Sequence, residues 1–301
     1  MDGVNTDGHT VRERGEDHMA PRQTPTISQR RFGAELRRLR EAVGLSAPRA
    51  AELLGTDRTT ISNVEAGRFG ISEQRLRRLA SIYECDDPAL IEVLAAMTGG
   101  RKGGWWDEYR GKVPPDFLDV AELEYSARSL RTLQTAHVPG MFQTEDHARA
   151  LFDLFIPALP RLEVELRIAQ RLARHKVITK EPAVPYTGLV HEAALHMRVG
   201  GHRVARAQLQ RLLEESERDN VTLRVIPFSA GGFPMAGDSV LYASAESAHL
   251  DTVQVDSPIG AVFFESPTQL ANFRRRMDAV EQVALNAQES RDRILKIAQN
   301  L

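Results

Sequence analysis

The chain has 301 residues, of which 42% are hydrophobic and 27% charged, and its net charge is −2. This length predicts about two domains of roughly 100–200 residues each. A membrane-spanning helix is excluded because no run of about 18 apolar residues occurs. Residues 1–28 lack the apolar stretch of a secretory signal. The single cysteine, Cys85, excludes an internal disulfide and fits a reducing compartment. We therefore expect a cytoplasmic protein.

Residues 1–27 are polar and rich in glycine, aspartate, arginine and histidine. They show neither helical nor alternating periodicity, so we expect a disordered tail. The sequence leaves open whether translation starts at Met1 or at Met19.

The near-neutral net charge conceals a basic segment between Ile27 and Glu84. This segment holds eleven arginines and seven acidic residues, a net charge of +4, whereas the parts before and after it carry −2 and −4. A basic module beside an acidic remainder is typical of a modular phosphate binder. An ordinary solvated basic surface explains the charge equally well, so charge alone does not establish nucleic-acid binding.

Residues 28–97 are predicted to form an all-α domain of five short helices. Apolar residues recur there at three- and four-residue steps, and Ser, Asp and Gly residues stand where N-caps and C-caps are needed. The predicted helices run from Ser28 to near Gly44, from Ser46 to Gly55, from Asp57 to before Gly67, over Ser72–Tyr83 and over Pro88–Met97.

Residues 98–104 read Thr-Gly-Gly-Arg-Lys-Gly-Gly and are predicted to be a flexible linker. A larger mixed α+β domain is predicted over residues 105–301, with Trp105 and Trp106 anchoring its start. Its predicted helices cover 116–135, 144–154, 160–176, 202–218, 267–284 and 287–299. Its predicted strands are Val184–Val190, Val221–Pro227, Ser239–Ala243, Thr252–Val255 and Ala261–Glu265.

The second and third predicted helices carry the functional signal. Two short helices pressed together at a steep angle need a small residue at their contact, which Ala51 supplies, and Gly55 permits the tight turn between them. Ile61 and Val64 face the core and hold the third helix. We call its remaining side the outward face; this face is polar enough to enter a major groove. The outward face consists of Arg58, Thr59, Thr60, Ser62 and Asn63.

This pattern resembles the helix-turn-helix of phage-repressor-like (XRE family) regulators over about residues 30–85. The matching segments are Gly44-Leu45-Ser46, Ala50–Gly55 and Asp57–Arg68, the last with its Ile-Ser-x-x-Glu-x-Gly-Arg positions. The resemblance implies a sequence-specific transcriptional regulator that binds double-stranded DNA. A helical bundle without a DNA role is the alternative.

The resemblance also implies roles for single residues. Arg58, Thr59 and Asn63 would read bases, whereas Ser62, Thr60 and Arg68 would hold phosphates. Arg40 and Glu65 would form a structural ion pair between the first and third helices. One position departs from the family, because Ala47 stands where many members carry a glutamine. A homodimer is expected, since one such module reads only half of a palindromic site.

The C-terminal part resembles the Scr1-type domain of WhiJ-like actinobacterial regulators over residues 105–295. The resemblance implies a small BldB-like partner protein, and it offers no catalytic residues. An antitoxin-like protein that sequesters its partner and autoregulates its operon is the alternative function. The matching segments are Trp105-Trp106, Leu123-Glu124-x-x-Ala127, Val138–Thr144, Ala148-Arg149-Ala150, Arg171-x-x-Arg174, His191–Leu195, Val199-Gly200-Gly201, Gln208-Leu209, Val225–Gly231, Ala284-Leu285 and Glu289-Ser290.

The segment from Phe228 to Gly237 is predicted to be a flexible loop with exposed apolar groups. Such a loop between strands suits contact with a partner or ligand, and we single out Phe228, Phe233 and Met235 for this role. An ordinary connection explains the loop equally well.

Enzymatic interpretations are weak, and we expect no enzyme, metal or cofactor. His191 and His196 are five residues apart, whereas a zinc protease helix needs histidines four apart on one face. Asp238 and Ser239 resemble a serine-hydrolase block, but no suitably spaced aspartate and histidine follow them.

Overall fold

The structure is a computed structural model that describes residues 25–98 and 103–301. The expected tail up to residue 24 and linker residues 99–102 lie outside the described residues. An N-terminal helical region is followed by helices packed on a mixed sheet, which confirms the predicted fold class. In the two described ranges, every helix is too short or too polar to span a membrane.

Five helices share one apolar core in the N-terminal region, to which each contributes buried side chains. The first begins at Ile27 rather than Ser28, because Thr26 is its N-cap and forms a capping box with Gln29. The other boundaries lie within two residues of those predicted. The helices are α1 (Ile27–Ala42), α2 (Ala47–Leu54), α3 (Arg58–Glu65), α4 (Glu73–Ile82) and α5 (Pro88–Met97).

The C-terminal part is built on a six-stranded sheet. Its helices are α6 (Pro115–Ser126), α7 (Glu145–Phe152), α8 (Arg161–Ala173), α9 (Lys176–Thr179), α10 (Glu192–His196), α11 (Gly201–Glu215), α12 (Pro267–Val283) and α13 (Ala287–Gln299). Its strands are β1 (Ser129–Gln134), β2 (Tyr186–His191), β3 (Val221–Ile226), β4 (Val240–Ser244), β5 (Thr252–Ser257) and β6 (Gly260–Phe264).

The strand order is β3-β2-β1-β4-β5-β6. The first three strands in the chain pair in parallel, and the other pairings are antiparallel. Long helical crossovers join the parallel strands, as parallel pairing requires. Helices α11 and α13 pack on one face of the sheet and α12 on the other. The central strands are therefore buried on both faces.

Strand β1 corrects the predicted helix over residues 116–135. The helix ends at Ser126, and residues 129–134 form the strand between β2 and β4. Leu130 and Leu133 are three residues apart, which fits one face of a helix. In the strand they point to opposite faces and enter different cores. A strand buried on both faces loses its alternating pattern, so the spacing was misleading.

Helix α1 joins the helical region to the sheet domain. The backbone amide of Ile27 donates to Asp119 of α6 over 3.1 Å, and the guanidinium of Arg30 pairs with the same carboxylate at 2.8 Å. The side chain of Ile27 is part of the sheet-domain core. In return, Leu250 of the sheet domain is part of the helical core. The two cores therefore meet at α1.

A buried histidine lies in α7. His147 is 4% exposed, and neither ring nitrogen has a hydrogen-bond partner among the described residues. Burial lowers the pKa of His147 to about 4, and the positive charges of His137 and Arg171 add to the effect. The ring is therefore neutral in the folded protein at neutral pH.

We expect His147 to make folding weaker as the pH falls from 6.5 towards 4. The unfolded chain takes up the proton near pH 6.5, whereas the folded chain does so only near the lowered pKa. The stability that the neutral His147 ring contributes is fully present above pH 6.5, and it falls by about 3 kcal/mol as the pH drops to about 4. Urea denaturation at pH 7 and pH 4.5 should show a smaller loss of stability in His147→Leu than in the wild type.

The matched control is His202→Gln, which changes an exposed histidine on α11. This variant should keep the wild-type dependence of stability on pH. The explanation fails if His147→Leu retains that dependence as well.

Candidate nucleic-acid interface

Helix α3 begins with a charged cap. Asp57 accepts a hydrogen bond from the backbone amide of Thr60 at 2.8 Å and another from the Thr60 hydroxyl at 2.8 Å. Both hydrogen bonds hold the pKa of Asp57 below its ordinary value, and the one from the backbone amide has the larger effect. A negative charge at a helix N-terminus is favourable, so the cap stabilises the start of α3. It also engages the hydroxyl proton of Thr60.

The inner side of α3 is fixed by close packing. Ile61 and Val64 are 1% and 2% exposed and lie in the helical core. Gly33 of α1 faces the end of α3, where an added Cβ would lie 2.5 Å from the carbonyl oxygen of Glu65. Only glycine permits this approach. Gly33 was not among the predicted site residues, although an isolated glycine inside a helical pattern is a signal of close backbone contact.

The outward face of α3 is open to solvent. Arg58, Thr59 and Ser62 are exposed, and Thr60 and Asn63 are half-buried. Arg68, which follows the helix, is also exposed. Among the described residues, neither Arg58 nor Arg68 has an ion-pair partner for its guanidinium. The two cations are therefore available to an anionic partner such as a phosphate or to acceptor groups on bases.

Further exposed side chains of the helical region were not predicted as site residues. Phe69 follows Arg68 and is 55% exposed. Exposed arginines also occur on neighbouring helices, at Arg49, Arg75 and Arg78. Arg49 pairs with Glu52, whereas Arg78 donates to the carbonyl oxygen of Leu53. The count of eleven arginines was the available signal, but it could not say which of them share a surface.

The structure places Arg40 and Glu65 in a buried ion pair. Their side chains are 9% and 8% exposed, and two hydrogen bonds of 2.6 and 2.9 Å join them in a bidentate arrangement. A third bond of 2.7 Å runs from Arg40 to the carbonyl oxygen of Leu45. The hydrogen bonds that Arg40 donates to Glu65 raise the pKa of Arg40. One guanidinium thus connects α1, the turn before α2 and the end of α3.

Of the three apolar loop residues, only Phe228 is exposed, at 56%. Its ring lies 5.3 Å from that of His191, edge to face, and 5.9 Å from the stacked ring of His196. Phe233 and Met235 are half-buried and pack against the core under α12. The loop follows β3 and lies beside the end of β2. The exposed surface is therefore centred on Phe228.

His191, one of the residues considered for catalysis, and its neighbour Glu192 have structural partners. His191 is the N-cap of α10 and accepts a hydrogen bond from the amide of Ala193. Glu192 is buried, accepts the amide of Phe228 at 2.9 Å and pairs with Arg293 at 2.8 Å. Across the described ranges, no group of three or more His, Cys, Asp and Glu side chains is arranged to hold a metal ion.

Comparison with known families assigns both parts of the chain. Residues 31–94 match the family described as helix-turn-helix domain, and residues 117–296 match the domain of unknown function DUF5753. Because the second match covers more than half of the chain, the protein belongs to the DUF5753 family. No curated protein and no solved structure gives a significant match. The helix-turn-helix domain indicates a DNA-binding regulator rather than an enzyme.

Removing one member of the buried ion pair should make the helical region less stable. We expect Glu65→Ala to lower the free energy of unfolding by about 3–5 kcal/mol, because Arg40 would remain buried without its carboxylate. Chemical denaturation followed by circular dichroism measures this loss. Glu52→Ala is the control, since Glu52 is 70% exposed and its pair with Arg49 is worth about 0–1 kcal/mol. Equal losses in the two variants would argue against a structural role for the buried pair.

Proposed function

We propose that the protein is a sequence-specific transcriptional regulator of the XRE type that reads double-stranded DNA with α3. The observation that carries this proposal is the division of α3 into two sides. Ile61 and Val64 are buried, while the polar residues of the outward face reach solvent. A short helix of this kind, held from behind, matches the way such modules enter a major groove.

Each residue of the outward face has a proposed role. Arg58, Thr59 and Asn63 read base edges: the Arg58 guanidinium can donate two hydrogen bonds to a guanine, and the Asn63 amide suits an adenine. Each such contact discriminates by about 1–3 kcal/mol. The proposed phosphate contacts are Ser62, Thr60 and Arg68. Thr60 must share its hydroxyl with Asp57, so we expect it to contribute least.

We also propose that the protein acts as a homodimer. One α3 reads only a few base pairs, and two-fold symmetric regulators place two such helices about one helical turn apart. An inverted-repeat operator follows from that symmetry.

Selection from a random DNA library should therefore recover an inverted repeat, bound by two chains. Arg58→Ala and Asn63→Ala should each weaken binding to this site by about 10- to 100-fold, because each removes one base contact. Fluorescence anisotropy gives the affinity, and analytical ultracentrifugation gives the number of chains on the site.

Arg276→Ala is the matched control, because Arg276 is exposed on α12 and far from α3 in the chain. This variant should bind as the wild type does. Recovery of no common motif, or equal weakening in all three variants, would exclude α3 as the reading element. A single chain on the recovered site would exclude the homodimer.

We further propose that the C-terminal domain binds a small partner protein, of the BldB-like kind that its resemblance to Scr1-type, WhiJ-like regulators implies. The exposed Phe228, which is edge to face with His191 and stacked on His196, supports this step, because single large aromatic residues often anchor interfaces. In the antitoxin-like alternative, holding the partner is the main task, and DNA binding serves to autoregulate the operon.

Co-expression with the products of short neighbouring reading frames should yield a stoichiometric complex that Phe228→Ser disrupts. Ile259→Ser is the control, because Ile259 is 95% exposed in a turn remote from Phe228 in the chain. Size-exclusion chromatography measures complex formation. A complex that survives Phe228→Ser, or none at all, contradicts the proposed surface. If formation of the complex releases the protein from DNA, the regulator function is favoured. If the Arg58→Ala variant still neutralises a toxic partner, the antitoxin-like function is favoured.

A further inference from the structure

A cavity of about 790 Å³ lies between the helical region and the sheet domain. On one side it is lined by Phe32 of α1, by Phe69 in the turn after α3 and by Met97 of α5. Trp106, Tyr125 and residues 182–185 line the other side. The volume lies within the roughly 300–1,000 Å³ of small-molecule sites, which are often found between domains.

The lining has a distinct chemistry. Most of it is apolar, and four aromatic rings contribute flat surfaces. Lys180 brings a positive charge: its ammonium group donates to the carbonyl oxygen of Tyr125 at 2.5 Å and lies 4.1 Å from the centre of that ring. Within the described ranges, no carboxylate pairs with Lys180. Burial lowers the pKa of Lys180, because the charged ammonium group is partly removed from water.

Trp106 contributes apolar ring surface to the lining and not a hydrogen-bond donor. The residue is 5% exposed, and its indole N–H is buried away from the cavity. The acidic residue of the lining, Glu122, already lies near the Thr26 hydroxyl at 3.4 Å and close to the charge of Arg31. Arg128, another lining residue, pairs with Glu246, so Lys180 is the cation of the described lining that is left for an anionic occupant.

We infer that this cavity is an effector site for an aromatic small molecule that carries a carboxylate. The rings of the lining pack against the aromatic part, and the Lys180 ammonium group donates to the carboxylate oxygens. Hydrogen bonds between a cation and an anion are the stronger kind, so the carboxylate is preferred over a neutral oxygen.

The site is placed to act on α3. Phe69 and Ile71 lie in the turn that follows α3, and Gly67 at the start of that turn contacts the backbone of α1 at Gln29. An occupant touches this turn and the sheet domain together, and thereby favours one relative position of the two. The effect of the occupant on DNA affinity is set by the difference between its binding free energies for the two relative positions of the turn and the sheet domain. This step rests on the proposed function, whereas binding in the cavity does not.

Calorimetric titration of the full chain with 1-naphthoate, in the absence of DNA, tests the site. We expect saturable binding of one molecule per chain, about tenfold tighter than that of the uncharged 1-naphthalenemethanol. Lys180→Met should remove this preference for the carboxylate. Lys296→Met, an exposed lysine on α13, is the matched control and should keep it.

A second pair of variants tests the location. Ala183→Phe fills the cavity from the sheet-domain side and should abolish binding of both probes, whereas Ala207→Phe on the exposed side of α11 should not. Circular dichroism establishes that each variant is folded. Failure of 1-naphthoate and related two- and three-ring carboxylates to bind, or binding that Ala183→Phe leaves intact, would overturn the inference.

The consequence for DNA is measured separately, as the affinity of the chain for its selected site with and without saturating 1-naphthoate. A changed affinity that Ala183→Phe abolishes supports the effector role. Unchanged affinity with a filled cavity overturns that role. If the chain selects no DNA site but still binds 1-naphthoate with the expected variant pattern, the proposed function fails while the binding site stands.

Discussion

The contact between α1 and the end of α3 fixes the outward face in space. The Arg40 guanidinium binds both carboxylate oxygens of Glu65 and the carbonyl of Leu45, so it sets the distance between α1, α3 and the turn before α2. Gly33 permits this distance because it has no side chain to hold α3 away. The polar side chains of the outward face make few apolar contacts. The position of this face therefore depends on the packing of the inner side of α3.

The same helix meets the rest of the protein on its other side. Ile27 enters the sheet-domain core, and Arg30 pairs with Asp119. Arg31 is buried between the two parts. Burial lowers the pKa of Arg31 to about 10, although the negative charges of Glu265 and Asp251 act to raise it. The sheet domain and α3 therefore contact the same helix, α1.

The sequence predicted those parts whose signals are local. Caps and helical spacing located all five N-terminal helices, and the range Pro88–Met97 is the same in prediction and structure. Segments that resemble the Scr1-type domain include buried polar partners far apart in the chain, such as Glu124 with Arg174 and Gln143 with Arg171. Strand β1 was missed because its pairing with β2 and β4 decides its structure. The cavity was missed because its lining comes from segments more than a hundred residues apart, which no local pattern connects.

The most direct test of a base-reading outward face is photo-crosslinking from within it. A chain in which a photoreactive benzoylphenylalanine replaces Thr59 is bound to its selected DNA and irradiated, and the crosslinked nucleotide is mapped. A base-reading outward face should give crosslinks to bases of the half-site, and unlabelled specific DNA should suppress them. The reading role of this face is contradicted if position 59 crosslinks no more efficiently than the same group placed at the exposed position of Arg276.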